Sequence, residues 1–130
     1  MTRTDDRFVP LNQRVAIANA YRDAIFMAIH FNSALRRGAR GVETFYASPS
    51  EARLAARIQR NIAATTDGQN RGVKRASFHV LRKTRMRAVL AECGFLTNPQ
   101  DVALARTPAY RERLADEISR AIIEDRRSLE

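Results

Sequence analysis

Residues 88–92 read AVLAE, a short apolar run that ends on a carboxylate, and this stretch decides the fold class. Residues 25–29, IFMAI, form a second such run, which ends at His30. Continuous apolar runs of about four to eight residues are typical of strands that are buried on both faces of a sheet. We therefore predict two buried strands whose carboxyl ends carry His30 and Glu92.

Around these two strands, segments with the apolar spacing of a helix alternate with segments that have the apolar spacing of a strand. Residues 41–47 and 77–81 also predict short strands, whereas the Asp-, Gly- and Asn-rich residues 65–72 predict a loop. Helices are predicted over residues 11–24 and 48–64, after Asn98, and from Thr107 towards the C-terminus.

This alternation predicts an α/β fold with a mostly parallel twisted sheet that is flanked by helices. The 130 residues contain no internal repeat and no linker, so we expect residues 1–130 to form one domain or part of one. Ligands of such sheets gather outside the carboxyl ends of the strands. The ends of the strands at His30 and Glu92 are therefore the expected functional region.

The charge of the chain limits the choice of partners. The net charge of +9 favours contact with polyanions such as nucleic acid, anionic lipids or phosphate-bearing cell-wall polymers. The basic residues are scattered along the chain, and no motif that reads nucleic acid is present, so we expect no nucleic-acid partner. The single cysteine, Cys93, excludes an internal disulfide and an all-cysteine metal site.

The sequence has no apolar run of the roughly 20 residues that a membrane-spanning helix needs, and its first residues do not resemble a signal peptide. We therefore expect neither a transmembrane segment nor a signal peptide in this chain.

Each of the two strand-end residues has a structural and a chemical interpretation. His30 is either a partly buried structural histidine or a zinc ligand, because neutral imidazole is a preferred zinc donor. Glu92 is either the partner of one of the many arginines or a functional carboxylate, since burying a carboxylate without a reason is costly. The residues alone leave both alternatives open.

Several motifs occur in the order found in one enzyme family. The sequence reads TRTDD at residues 2–6, IHFNSA at 29–34, GVETFY at 41–46, NRGVK at 70–74 and ECGFLTNP at 92–99. In these motifs the chain resembles the zinc-dependent N-acetylmuramoyl-L-alanine amidases over essentially its whole length. Enzymes of this family hydrolyse the amide between the lactyl group of N-acetylmuramic acid and the L-alanine of the peptidoglycan stem peptide.

The resemblance implies a role for five residues. His30 would be a zinc ligand, and Glu92 would be the catalytic carboxylate that moves protons during hydrolysis. Asn32, Asn70 and Arg71 would contact the substrate or shape the cleft. The implied cofactor is zinc and the implied partner is peptidoglycan, and the complete protein is expected to act in the periplasm or outside the cell.

The resemblance starts at Thr2, so the family's first strand and helix have no counterpart in the sequence. Those two elements carry a further zinc-binding histidine and a zinc-binding glutamate, and His79 is not expected to replace them. We therefore expect an N-terminally truncated catalytic domain with an incomplete zinc site, inactive as this chain and prone to self-association through its exposed sheet. The alternative is a non-catalytic remnant that binds peptidoglycan or another polyanion.

Overall fold

A computed structural model describes residues 1–129 and contains one four-stranded sheet, in the order β1-β4-β2-β3. The strands are β1 (Ile25–Asn32), β2 (Val42–Tyr46), β3 (Asn70–Arg75) and β4 (Arg87–Phe95). The helices are α1 (Leu11–Asn19), α2 (Ala52–Ala63), α3 (His79–Lys83), α4 (Pro99–Arg106) and α5 (Pro108–Arg127), with a 3-10 turn at Pro49–Glu51 before α2. In this part of the chain no helix has the length and apolar character that crossing a membrane requires.

The α/β fold class is confirmed, and the sheet is mixed rather than purely parallel. β1 pairs with β4 in parallel, and β2 pairs with β3 in parallel. The central pair, β2 and β4, is antiparallel. The carboxyl end of β2 therefore lies beside the amino end of β4, opposite to the end at which Glu92 lies.

Helices cover both faces of the sheet. Leu54, Ile58 and Ile62 recur on one side of α2 and pack with α5 and with Val89 of the central strand β4. On the other face, α1 and α3 pack over a smaller cluster, to which Leu90 of β4 belongs. Because neighbouring residues of a strand point to opposite faces, β4 is buried almost throughout, as its continuous apolar run predicts.

The prediction for residues 65–81 was wrong in two places. The predicted loop at 65–72 already contains the start of β3, and the predicted strand at 77–81 is instead part of α3. β3 is an edge strand of sequence NRGVKR, so charged side chains replace the apolar alternation that would have marked it. In α3, Val80 and Leu81 are both buried against α1 and the sheet. Two adjacent apolar residues are compatible with a helix as well as with a strand, so the pattern could not distinguish them.

Two boundaries also differ from the prediction. The helix predicted over residues 11–24 ends at Asn19, whose side chain accepts a hydrogen bond from the Arg85 amide at 2.7 Å and donates one to the Lys83 carbonyl at 3.2 Å. These bonds tie the end of α1 to the segment after α3. β1 continues past His30 to Asn32, with an irregular register between the two residues.

A buried carboxylate joins three elements at the end of the sheet away from Glu92. Asp125 of α5 has no exposed surface, and its oxygens lie 3.0 Å from Arg53 Nε, 3.7 Å from Arg57 Nε and 2.7 Å from Arg87 Nη1. Arg53 and Arg57 belong to α2, and Arg87 starts β4. This cluster therefore ties α5 to α2 and to the first residue of β4.

Candidate active site

A row of three ionisable side chains crosses the sheet near the carboxyl end of β4. His30 on β1 and Glu43 on β2 are both register partners of Glu92 on β4, the strand between them. Register partners on adjacent strands point to the same face, which here is the face that carries α1 and α3. The sheet thus brings together two residues that are 62 positions apart in the sequence, His30 and Glu92.

Glu92 is the buried acid at the centre of this row. Its residue is 9% exposed, and its Oε2 atom has no hydrogen-bond partner among the described residues. Burial, and to a smaller extent the nearby charge of Glu43, raise its pKa to about 7. Glu92 can therefore exchange a proton near neutral pH, as a general acid or base must.

His30 lies beside Glu92 and is more accessible. Its Nδ1 atom is 3.8 Å from Glu92 Oε1, and about a third of its side chain is exposed. Burial lowers the pKa of His30, and the positive charges of Arg14 and Arg3 lower it further. The imidazole is therefore held neutral, the form that binds a metal.

Glu43 is a third acid in the row, and the sequence analysis gave it no role. Its side chain is 5% exposed and forms ion pairs with Arg71, at 3.3 Å from Nε to Oε2, and with Lys74. Asn32 Nδ2 donates to its other oxygen at 3.0 Å. Both oxygens of the Glu43 side chain are thus engaged by donors of the chain. Its position in the predicted strand of residues 41–47 did not reveal it, because its contact with Glu92 depends on the antiparallel register of β2 and β4.

The three predicted substrate residues occupy different places. Asn32 and Arg71 both contact Glu43, and the Arg71 guanidinium also lies over the Phe95 ring, 5.0 Å from its centroid. Asn70 is turned away from this group, because its Oδ1 atom accepts hydrogen bonds from the Gln59 side chain and the Gly72 amide. The structure therefore brings Asn32 and Arg71 to the row, and gives Asn70 local contacts instead.

Asp101 holds the two acid-bearing strands in place. Its Oδ2 atom accepts hydrogen bonds from the amides of Gly41 and Phe95, both at 2.9 Å, at the start of β2 and the end of β4. Gly94, with a φ of +142°, allows this approach, since a Cβ there would lie 3.3 Å from Asp101 Cβ. This buried carboxylate therefore sets the position of the ends that carry Glu43 and Glu92.

The amino-acid sequence matches one family of cell-wall enzymes over nearly the whole chain. Residues 1–124 match the family model described as N-acetylmuramoyl-L-alanine amidase (Amidase_3). The chain belongs to this family. Zinc dependence is a general property of these amidases.

Two proteins of Bacillus subtilis are similar to this chain in sequence. The uncharacterized protein YqiI is 38% identical over 125 residues, which are 93% of this chain and 60% of YqiI. The N-acetylmuramoyl-L-alanine amidase LytC is 34% identical over 122 residues, which are 91% of this chain and 25% of LytC. The chain thus spans less than two thirds of the length of YqiI and a quarter of the length of LytC.

Solved amidase structures share the fold. The catalytic domain of CwlV, an N-acetylmuramoyl-L-alanine amidase from Bacillus (Paenibacillus) polymyxa var. colistinus, superposes with a TM-score of 0.89 at 35% identity, covering 95% of this chain and 69% of that one. The N-acetylmuramoyl-L-alanine amidase AmiC2 of Nostoc punctiforme gives a TM-score of 0.89 at 34% identity, covering 97% of this chain and 71% of that one. The helix-flanked sheet is therefore that of amidase catalytic domains.

The described residues do not by themselves fit a complete zinc site. A catalytic zinc ion takes three protein ligands and a water. Within residues 1–129, no three His, Cys, Asp or Glu side chains are grouped so that they could hold a metal ion. His30 is the one imidazole in the row, and the oxygens of Glu43 are already engaged by Asn32, Arg71 and Lys74.

Proposed function

We propose that this chain is part of the catalytic domain of a peptidoglycan hydrolase that acts outside the cytoplasmic membrane. The bond cleaved is the amide between the lactyl group of N-acetylmuramic acid and the L-alanine of the stem peptide. The observation that carries this proposal is the pairing of His30 with the buried acid Glu92 on adjacent strands of an amidase fold. The amidases LytC and CwlV support the choice of substrate.

Glu92 supplies the proton transfers of this reaction. A water molecule attacks the lactyl carbonyl carbon while Glu92 removes one of its protons, and the remaining oxygen forms the new bond to carbon. The C–N bond then breaks, and Glu92 delivers the proton to the nitrogen of the departing L-alanine. A carboxylic acid and an amine result. A pKa of about 7 suits both proton removal from water and proton delivery to the amine, because Glu92 is present in its protonated and its deprotonated form near neutral pH.

Arg71 and Asn32 contribute by fixing the position of the Glu43 side chain beside Glu92. The fixed negative charge of Glu43 favours the protonated form of its neighbour, which is the form that the leaving amine needs. We also propose that His30 is one zinc ligand, and that any further ligands come from outside residues 1–129. As the 130-residue chain, the protein is then expected to lack amidase activity.

A chimera tests the proposed function. Residues 1–124 of this chain would replace the matching segment of LytC, so that LytC supplies the rest of the molecule. Purified peptidoglycan incubated with the chimera is expected to release peptides with a free N-terminal alanine, detected by mass spectrometry. A folded, zinc-loaded chimera that releases only glycan fragments or cross-bridge products would contradict the proposal.

We further propose that the isolated chain self-associates through β1. This strand lies at an edge of the sheet, where its outer backbone groups are unpaired, and Ile29 on it is 52% exposed. A groove of about 500 Å³ with many apolar lining residues runs along the same edge. Sedimentation velocity is expected to show dimers or larger species, which Ile29→Lys reduces and Leu129→Lys, at another exposed apolar residue, does not. A monomer at the highest soluble concentration would contradict this.

A further inference from the structure

A second cavity lies at the end of the sheet opposite to Glu92. It has a volume of about 620 Å³ and is bordered by the segment after β2 and by the start of β4. Four arginines line it: Arg75, Arg82, Arg85 and Arg87. No residue of the row His30, Glu92 and Glu43 takes part in it, so a ligand here would leave the candidate active site open.

The positive charge in this cavity is only partly balanced. Arg87 is paired with Asp125, but Arg75, Arg82 and Arg85 form no ion pair with any of residues 1–129. Arg75 is oriented by a hydrogen bond from its Nε to a main-chain carbonyl, the Ala47 oxygen, at 3.0 Å. The cavity therefore presents guanidinium groups that are free to bind an anion.

The one acidic residue in the lining does not neutralise these arginines directly. Glu51 is buried, and its carboxylate accepts hydrogen bonds from the Ser50 hydroxyl at 2.7 Å and the Ser48 amide at 3.1 Å. The hydroxyls of Ser48 and Ser50 lie 2.9 Å apart, and since Ser50 donates to Glu51, Ser48 donates to Ser50. The donors open to a ligand at this cavity are therefore guanidinium groups, which suit phosphate oxygens.

We propose that this arginine cavity binds the phosphate groups of a polyol-phosphate polymer, a phosphodiester chain without bases. None of its lining residues is aromatic, so it lacks the rings on which successive bases of a single-stranded nucleic acid stack. The net charge of +9 draws a polyanion towards the chain, and the cavity gives its phosphates a fixed place. The choice of a cell-surface polymer rests on the proposed function, whereas the binding itself does not. Such binding would hold the protein on the wall.

The test is a titration of the 130-residue chain with poly(glycerol phosphate), in which isothermal calorimetry measures the binding constant at several salt concentrations. The double variant Arg82→Gln/Arg85→Gln is expected to weaken binding by about tenfold, and to make the slope of log K against log salt shallower by roughly 1.5, because two phosphate contacts are lost. Both side chains belong to exposed residues, so the fold should survive the change.

Two further variants separate a built site from general charge. Arg36→Gln/Arg37→Gln removes the same charge from an exposed segment at the other end of the sheet, and its affinity is expected to stay within about twofold of the parent. Arg82→Lys/Arg85→Lys keeps the charge but loses the planar guanidinium fork, so an intermediate loss is expected.

Equal losses in the two glutamine variants would overturn the proposal, since binding would then follow net charge alone. Equally tight binding of poly-L-glutamate would overturn the preference for phosphate. Tighter binding of single-stranded oligothymidylate than of poly(glycerol phosphate) at equal charge would overturn the polymer assignment in favour of nucleic acid. None of these results depends on amide hydrolysis, so failure here is distinct from failure of the proposed function.

Discussion

Glu92→Gln is expected to slow amide hydrolysis by the LytC chimera by about 10²–10⁴-fold, the range that a general acid or base contributes. Glutamine keeps the size and shape of the side chain but can neither accept nor deliver a proton. The loss corresponds to roughly 3–5 kcal/mol in the activation barrier. The measurement is the rate of release of stem peptide at saturating substrate, for the parent and variant chimeras.

The control for this variant is Glu112→Gln, which removes one carboxylate from an exposed position of α5. Its rate is expected to equal that of the parent. Glu92→Gln should also unfold at a temperature no lower than the parent, because a buried carboxylate with an unpaired oxygen is costly and the amide is not charged. A fully folded Glu92→Gln chimera that keeps more than about a tenth of the parent rate would remove Glu92 from the proton transfers.

Asp125→Asn is expected to lower the free energy of unfolding by about 3 kcal/mol. The substitution removes the buried carboxylate that Arg53, Arg57 and Arg87 share at the junction of α2, α5 and β4. Of the three, Arg57 keeps a second partner, Glu124, at 3.7 Å. Losing one partner of a buried ion pair costs roughly 3–5 kcal/mol, and the lower end applies because these arginines are 26–47% exposed and can turn to water.

Chemical denaturation of the 130-residue chain measures this change, with Asp116→Asn as the control. Asp116 is an exposed residue on the same helix, and its substitution is expected to change stability by less than about 0.5 kcal/mol. If Asp125→Asn changes the unfolding free energy by no more than this control, the cluster is not what fixes α5 to the sheet.

The sequence predicts the fold best where burial controls the pattern. The runs at residues 25–29 and 88–92 became β1 and β4 because both strands need apolar residues on both faces. Residues 70–75 were not recognised as a strand, because at the sheet edge Arg71 and Lys74 pair with Glu43 and leave no alternating apolar pattern. The antiparallel pairing of β2 with β4 was also missed, since alternating strands and helices only favour parallel neighbours.

The candidate site could likewise be predicted only in those parts that local burial patterns mark. His30 and Glu92 could be predicted because each ends an apolar run, where a polar side chain needs a reason. Predicting that the two residues lie side by side requires the strand order, in which β4 is next to β1. Local sequence patterns do not indicate this order. Glu43 acquires its place beside Glu92 only through the register of β2 and β4, and Asp101 acts through main-chain amides that no side-chain motif reveals.

The zinc content of the purified 130-residue chain, measured by elemental mass spectrometry after dialysis, tests the central claim most directly. That claim is that this chain carries the His30–Glu92 part of an amidase site and not a complete zinc site. We expect far less than one zinc ion per chain, because His30 is the one imidazole beside Glu92 and residues 1–129 contain no group of three possible ligands. About one tightly held zinc ion per chain would contradict the claim, since other groups would then complete the site within this molecule or between two copies of it.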